Sequence, residues 1–177
     1  MKIESDFLII GSGIAGLMFA LKVAKAGTVS LVTKKNAKES NTNYAQGGIA
    51  SVFGKPDSFD LHIEDTLASG DGLCDRDVVE MVIKDGPSRI RELISLGVNF
   101  NRRATSDHSI LDPENLDLGR EGGHTENRIV HAQDMTGKEV ERVLLNHVKQ
   151  HDKITVYENH IAIDLITCST RLKRGLV

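Results

Sequence analysis

A glycine-rich turn near the N-terminus is the feature that most restricts how this chain folds. Residues 11–16 read GSGIAG and lie between a continuously apolar run and a stripe of apolar residues with helical spacing. In such a G-x-G-x-x-G pattern the first glycine makes a tight turn, the second lets a pyrophosphate approach the backbone, and the third allows close packing of helix on strand. The N–H groups and the dipole of the helix N-terminus attract phosphate. The pattern predicts a dinucleotide site formed by Gly11, Ser12, Gly13, Ile14, Ala15 and Gly16.

The segments around this turn predict a β-α-β unit. We expect a buried parallel strand at residues 6–10, a helix from Ile14 that ends in a left-handed cap at Gly27, and a second strand at residues 29–33. The crossover between two such parallel strands is right-handed. The fold class is therefore α/β, a doubly wound Rossmann-like domain with a parallel sheet.

The rest of the chain predicts more helices and strands. Helices are expected at residues 59–68, at residues 75–96 with a break at Gly86 and Pro87, and after a T-x-x-E capping box at Thr136 and Glu139. Strands are expected at residues 128–131, 154–157 and 161–166, whereas residues 34–56 and 101–123 lack periodicity and are predicted to be irregular. Because the chain stops directly after the last predicted strand, we expect a domain that is incomplete at its C-terminus.

Charge and composition exclude several classes of partner. The net charge of −3 and the pI near 6.2 show no basic excess of the kind that nucleic acid or an anionic membrane requires. Cys74 and Cys168 form no C-x-x-C pair, and the histidines lack an H-E-x-x-H spacing. No apolar stretch has the length of a membrane span. We predict no metal, no nucleic acid, no membrane and a cytoplasmic location.

The glycine-rich turn leaves the identity of the dinucleotide open. An acidic residue that binds the ribose is expected about twenty positions after the turn, but Thr33, Lys34 and Lys35 lie there. One interpretation is NADP, with Lys34 on the 2′-phosphate. Another is FAD, with the adenosine ribose held by Thr33 or by the backbone. A third interpretation is that Lys34 and Lys35 are a solvated lysine pair after the strand and bind no dinucleotide.

A second motif carries a resemblance to a known family. Residues 40–48 read SNTNYAQGG, and together with GSGIAG this string resembles the succinate dehydrogenase and fumarate reductase flavoprotein family, in which the loop wraps FAD. Small residues and glycines let main-chain N–H groups come close to a flavin and stabilise the charge that follows hydride uptake. The resemblance implies FAD as cofactor, with contacts from Lys34, from the backbone of Ile161 and Ala162, and from the loop residues Asn41, Thr42, Asn43, Tyr44, Ala45, Gln46, Gly47 and Gly48.

Two departures from the family pattern narrow the implied activity. Respiratory members attach FAD through a histidine at the position of Asn41, and because an amide cannot form that bond, non-covalent FAD is implied. The string GREGGH at residues 119–124 resembles the R-x-F-G-G string of dicarboxylate reductases, but Glu121 replaces the aromatic residue. A carboxylate there can accept charge-assisted hydrogen bonds from the ammonium of an amino acid. Glu121 is therefore expected to orient the substrate.

The resemblance thus points to the aspartate-oxidising branch of the family. That branch converts L-aspartate to iminoaspartate in de novo NAD biosynthesis, passes the electrons to oxygen or fumarate, and is linked to a quinolinate-forming partner enzyme. The strings at residues 131–140 and 158–164 also resemble the family. Residues 1–177 are then expected to be the N-terminal portion of a FAD-binding domain. The capping domain with its general acid/base arginine, and the C-terminal helical domain, are expected to be absent from this chain.

Three other functions stay open at the level of sequence. A soluble fumarate reductase or succinate dehydrogenase flavoprotein subunit fits the motifs apart from Asn41 and Glu121. An NADP-dependent dehydrogenase fits GSGIAG and Lys34, and a non-catalytic nucleotide-binding fragment fits GSGIAG alone. Arg120, His124 and Arg128 flank Glu121 and are candidates to meet substrate carboxylates, although arginines in loops are usually solvated.

Overall fold

The computed structural model describes residues 2–103, 115–133 and 135–167. The chain forms two compact units: the first unit is Met1–Ser40 with Leu144–Val177, and the second unit is Asn41–Val143. The strands are β1 (Phe7–Ile10), β2 (Val29–Val32), β3 (Ile49–Ala50), β4 (Leu118–Gly119), β5 (Ile129–Val130) and β6 (Ile154–Tyr157). The helices are α1 (Ile14–Val23), α2 (Phe59–Ser69), α3 (Arg76–Ser95) and α4 (Thr136–Lys149), with a 3-10 turn at Thr42–Tyr44.

A parallel sheet of order β1-β2-β6 forms the first unit, which confirms the predicted α/β class and the β-α-β start. Leu17 and Ala20 of α1 are fully buried, as is Leu31 of β2. The carboxyl ends of the three strands meet at one edge, where an α/β sheet binds its ligands. One face of β1 differs from the prediction of a buried strand, since Leu8 is 57% and Ile10 54% exposed.

Two predictions for the first unit are wrong. The helix α1 ends at Val23 with Ala24 as its C-cap, and not with a left-handed cap at Gly27. A Cβ at Gly27 would lie 2.6 Å from the Asp6 carboxylate, so glycine is needed there for space. Residues 161–166 are not a strand. An apolar run forms a strand only beside a pairing partner, and the side chain of Ile163 is 91% exposed.

The second unit contains an antiparallel sheet of order β3-β5-β4 and the helices α2 and α3, which pack on each other. The strand β5 lies within the predicted range of residues 128–131. The strands β3 and β4 fall in stretches predicted to be irregular, and that prediction is wrong for four residues, Ile49, Ala50, Leu118 and Gly119. A two-residue strand is too short to show alternation, so only its pairing partner reveals it.

The helix α3 is continuous, so the predicted break at Gly86 and Pro87 is wrong. Pro87 is buried with Ile83 and Ile90 on the same helix. The free energy gained by this burial offsets the loss of the helical hydrogen bond that a proline cannot donate. A proline clashes mainly with the Cβ and N–H of the residue before it, and Gly86 has no Cβ. The glycine therefore removes part of the cost of the proline.

The helix α4 begins without the predicted capping box. The N–H of Glu139 donates to the Met135 carbonyl, and the hydroxyl of Thr136 accepts from the N–H of Ala132. The carboxylate of Glu139 accepts from the N–H of Asn99 at 3.2 Å and from Arg142. The predicted core face of the helix is confirmed by the buried Val140, Val143, Leu144 and Val148.

No helix among the described residues is both long enough and apolar enough to cross a membrane. Cys168 lies outside the described residues, and Cys74 is a free, half-buried thiol.

Candidate functional site

The glycine-rich turn lies at the carboxyl edge of the parallel sheet. Gly11 follows β1 with a φ of +105°, which favours glycine, and its N–H donates to the Val32 carbonyl at 2.8 Å. Gly13 is the N-cap of α1 with no side-chain capping bond, and the first turn of the helix carries no acidic residue. A helix start with no side-chain cap and no acidic residue in its first turn suits a pyrophosphate. Binding of the phosphates at this turn stays a prediction.

Gly16 and Ser12 fix the turn against the sheet. A Cβ at Gly16 would overlap the Gly11 carbonyl oxygen and lie 3.4 Å from Cγ2 of Ile9, so a larger residue would push α1 away from β1. The buried hydroxyl of Ser12 donates to the Thr33 hydroxyl at 3.2 Å. These contacts are the close helix-strand packing that the motif requires.

The segment after β2 places Lys34 at the surface, at the same sheet edge. Lys34 is exposed, and Lys35 pairs with Glu39 at 3.1 Å. The sequence interpretation missed Glu158, which follows β6 and whose carboxylate accepts from the N–H of Ala37 at 3.0 Å and from Lys149. These hydrogen bonds, that of Ala37 first, lower the pKa of Glu158. A carboxylate thus lies near the end of β2 although the sequence has none at that position.

Ile161 and Ala162 follow a turn anchored to β2, where the N–H of His160 donates to the Thr33 carbonyl at 3.0 Å. Both residues are exposed and line a cavity of about 1080 Å³ with Leu8, Ile10 and Tyr157. The predicted contact of their backbone with an adenine stays a prediction.

The second unit holds the loop at residues 41–48. Its first half is a 3-10 turn in which the N–H groups of Tyr44 and Ala45 donate to Asn41 and Thr42. The start of α4 lies directly against it: the N–H of Gly137 donates to the Ala45 carbonyl at 3.1 Å, and a Cβ at Gly137 would overlap the Thr42 carbonyl oxygen. The sequence analysis did not identify Gly137 as a site residue. Its position in the first turn of a predicted helix, where glycine is unfavourable, was a signal that could have indicated a close contact.

The second half of the loop meets Glu121. The N–H of Gly48 donates to Oε1 of Glu121 at 3.3 Å, and a Cβ at Gly47 would lie 3.5 Å from the same carboxylate. Gly48 has no room for a side chain, since a Cβ would lie 2.5 Å from the Val130 carbonyl oxygen. The structure therefore brings the predicted substrate residue to the Gly-Gly pair of the predicted flavin loop.

Gly48 and Glu121 line a cavity of about 480 Å³ within the second unit. Its wall includes Gln46, Gly48, Arg120 and Glu121, and within the described part of the chain the N–H groups of Gln46 and Gly47 make no hydrogen bond. Exposed main-chain donors beside glycines suit a flat ring with acceptor atoms. His131 and Gln133 also line the cavity, and the sequence interpretation did not identify them as site residues.

Arg128 is buried in an ion-pair cluster, and its suggested role in binding substrate is wrong. Its side chain is 0% exposed, and its guanidinium donates twice to Asp57, at 3.0 and 2.7 Å, and once to Asp65 at 2.5 Å. His124 accepts from the same guanidinium at 3.2 Å. Arg120 is exposed and lines the cavity with Glu121, so it stays a candidate for a substrate carboxylate.

The cluster shifts the ionisation of its members. Burial raises the pKa of Asp65, but hydrogen bonds from Thr125 and Arg128 outweigh burial and hold that pKa below its ordinary value. Burial lowers the pKa of Arg128, and the carboxylates of Asp57 and Asp65 more than reverse this. The buried His62 lies beside this cluster, with its ring centroid 5.5 Å from that of His124. Burial and the cation of Arg128 lower the pKa of His62. The cluster therefore favours the charged form of Asp65 and the neutral form of His62.

In the part of the chain that the structure describes, no three His, Cys, Asp or Glu side chains are grouped as metal ligands. The candidate binding groups are instead the glycine-rich turn at residues 11–16 in the first unit and, described separately, the loop at residues 41–48 with Glu121 in the second unit.

The chain is similar to named proteins over nearly its whole length. It is 53% identical over 162 residues to L-aspartate oxidase 2-a, chloroplastic, of Nicotiana tabacum, covering 92% of this chain and 24% of that protein. It is 43% identical over 164 residues to L-aspartate oxidase of Vibrio cholerae, covering 93% of this chain and 30% of that protein. The chain thus spans between 24% and 30% of the length of these relatives.

A solved structure of E. coli quinol fumarate reductase has the same fold. Its TM-score with this chain is 0.82 at 31% identity, covering 93% of this chain and 27% of that one. The family described as FAD binding domain matches residues 6–176. The glycine-rich turn, the Gly-Gly loop and this match together show that the chain belongs to the FAD binding domain family and that its cofactor is FAD.

Proposed function

We propose that this chain is the N-terminal, FAD-binding part of an L-aspartate oxidase, which converts L-aspartate to iminoaspartate in the de novo biosynthesis of NAD. The observation that carries the proposal is the position of Glu121, whose carboxylate accepts from Gly48 and lies against Gly47 in a cavity of the second unit. A carboxylate at this point recognises an ammonium, which L-aspartate has and succinate lacks. The L-aspartate oxidase relatives support the same substrate.

Different residues of the chain would bind different parts of FAD and of the substrate. The turn at residues 11–16 would hold the pyrophosphate, and the loop at residues 41–48 would hold the flavin ring. FAD supplies a hydride acceptor when it is bound. Glu121 orients the substrate by accepting from its ammonium. Asn41 is exposed and carries an amide that forms no bond to a flavin carbon, so we propose that FAD is held without a covalent bond.

Oxygen or fumarate would take the electrons from this enzyme, and an enzyme that forms quinolinate would use its product. We keep the cytoplasm as the expected compartment, while the tobacco relative is named chloroplastic. The proposals on the electron acceptor and on the partner enzyme rest on the likeness to L-aspartate oxidases alone.

A chimera tests the activity, because the chain spans only 24–30% of the length of its relatives. Residues 1–177 replace the matching segment of the Vibrio cholerae L-aspartate oxidase, to which they are 43% identical. We expect oxidation of L-aspartate with oxygen or fumarate as acceptor. The isosteric Glu121→Gln variant should lose at least about tenfold in kcat/KM, since it removes a charge-assisted hydrogen bond.

A fumarate reductase or succinate dehydrogenase flavoprotein is the second candidate function, favoured by the TM-score of 0.82 with E. coli quinol fumarate reductase. The same chimera separates the two functions. Turnover with succinate but not with L-aspartate would reject our proposal and favour the second candidate.

The bond to FAD is tested on the same protein by acid precipitation. We expect the yellow chromophore to be released into the supernatant, because an amide at residue 41 cannot attach it. A flavin that stays with the precipitate would contradict the non-covalent proposal.

A further inference from the structure

The cavity that holds Glu121 also holds a partly buried histidine. His131 follows β5 and lies two residues after Ile129, so both side chains point to one face of the strand, and both line the cavity of about 480 Å³. The side chain of His131 is 26% exposed. An imidazole therefore lies in the same cavity as the carboxylate that we assign to the substrate ammonium.

Asn101 determines which nitrogen of His131 carries the proton. The Oδ1 atom of Asn101 accepts from the N–H of Gln133 at 3.0 Å, and a backbone N–H can only donate. The amide nitrogen of Asn101 therefore faces Nδ1 of His131, 3.2 Å away. Because an amide nitrogen only donates, Nδ1 must accept, and the proton of the neutral ring lies on Nε2.

The Nε2–H group of His131 is left available to a ligand. Among the described residues, the carboxylate beside it is Asp117, whose Oδ2 is 3.8 Å from Nε2, longer than a hydrogen bond. Asp117 is 54% exposed, so water screens its charge. Gly119 lies over the adjacent ring edge, where even an added Cβ would be 3.8 Å from Cδ2, and this leaves space beside the donor.

We infer that His131 is a second substrate-binding residue, and that its Nε2–H donates to a carboxylate oxygen of a dicarboxylate. This inference rests on the proposed function, which gives Glu121 the ammonium. Glu121 repels the carboxylates of the same substrate, so a hydrogen-bond donor elsewhere in the same cavity serves to hold them. Asn101 is a positioning residue that acts through His131.

The first test measures the protonated nitrogen in the 177-residue chain itself. A long-range ¹H–¹⁵N NMR spectrum should show His131 with its proton on Nε2. Asn101→Asp keeps the acceptor for Gln133 but replaces the donor by an acceptor, so the proton should move to Nδ1. The matched control Asn99→Asp adds the same charge at an exposed position two residues away and should leave the proton on Nε2. A proton on Nδ1 in the unaltered chain would overturn the inference.

The second test measures ligand binding in the chimera described above by quenching of flavin fluorescence. His131→Leu removes the donor and should lower the affinity for both succinate and L-aspartate by about tenfold or more. His131→Gln can present an N–H near the position of Nε2 and should restore most of that affinity. Glu121→Gln should lower the affinity for L-aspartate but not for succinate, since succinate has no ammonium.

The outcomes separate this inference from the proposed function. Unchanged succinate affinity in His131→Leu would overturn the role of His131, as would an equal loss of FAD affinity that His131→Gln does not restore. A chimera that binds succinate in a His131-dependent way but does not oxidise L-aspartate would reject only the proposed function.

Discussion

At the scale of single residues, burial separates side chains that hold the protein together from those that meet ligands. Arg128 and Glu121 lie seven positions apart, and the sequence made both candidates for the substrate. The structure buries Arg128 completely between Asp57 and Asp65, whereas Glu121 is exposed in a cavity. An arginine without exposed surface cannot reach a substrate, so its contribution is to stability.

Replacing Arg128 tests that structural role. Arg128→Met leaves Asp57 charged, buried and unpaired, which should cost about 3–5 kcal/mol of unfolding free energy in urea titrations. The control Arg89→Met breaks surface ion pairs with Asp85 and Glu92, in which the arginine side chain is 52% exposed, and it should cost less than about 1 kcal/mol. Equal losses in the two variants would contradict the buried cluster.

His62 gives the cluster a dependence on pH. Burial and Arg128 lower the pKa of His62 below its ordinary value of 6.5, so the unfolded chain binds the proton more readily than the folded chain. Stability is therefore lost as the pH falls below about 6.5, the pKa of the unfolded state. His124, Asp57 and Asp65 are the other ionisable groups that act on it.

The measurement is the melting temperature of the chain between about pH 7.5 and about pH 5.5. His62→Phe keeps a ring but cannot titrate, so its melting temperature should fall less over this range than that of the unaltered chain. Above about pH 7.5 the two curves should run parallel. Identical slopes below that pH would contradict the lowered pKa.

At the scale of secondary-structure elements, the sequence predicted several helices and strands with a clear period correctly. It did not predict the very short strands or the unbroken course of α3. The predicted strand at residues 154–157, the helix at residues 59–68 and the core face of α4 were confirmed. The two-residue strands β3 and β4 were missed because pairing rather than alternation creates them. The continuous α3 depends on the burial of Pro87, which local propensity cannot show.

The start of α4 gives a prediction that opposes helix propensity. Alanine is more favourable than glycine inside a helix by about 1 kcal/mol, so Gly137→Ala would be expected to stabilise α4. A Cβ there would overlap the Thr42 carbonyl oxygen and lie 2.8 Å from Cβ of Ala45. We therefore expect a lower melting temperature and weaker FAD binding, measured by thermal unfolding and flavin titration.

The matched control for Gly137→Ala is Gly122→Ala, because a Cβ at Gly122 meets nothing within 4 Å. The control should keep the melting temperature of the unaltered chain. A Gly137→Ala variant as stable as the control would contradict this prediction. It would show that α4 can move away from the loop at residues 41–48 without loss of stability.

At the scale of the whole molecule, the residues expected to bind FAD belong to two compact units. The turn at residues 11–16 lies in the first unit, and the loop at residues 41–48 lies in the second. The chain also spans only 24–30% of the length of its L-aspartate oxidase relatives. We therefore predict that such a relative also binds FAD with residues outside the segment that matches this chain.

The chain alone should consequently bind FAD weakly and should not turn over L-aspartate. The measurement compares flavin titration and peroxide release for the 177-residue chain and for the chimera. We expect FAD affinity to be at least about tenfold higher in the chimera, because more of the cofactor would be buried. Measurable oxidation of L-aspartate by the chain alone would contradict this prediction.

The sequence by itself determined the parallel α/β start, the dinucleotide turn and, through the SNTNYAQGG string, the flavin. The α/β start and the turn follow from local chemistry, since a tight turn at Gly11 and a helix start at Ile14 need particular residues at particular spacings, whereas the flavin was implied by the resemblance of the string to a known family. Only the tertiary structure decided that Arg128 is buried, that Gly137 touches the loop, and that Asn101 sets the proton of His131. Each of these depends on residues far apart in the chain, and local periodicity carries no information about contacts at that distance.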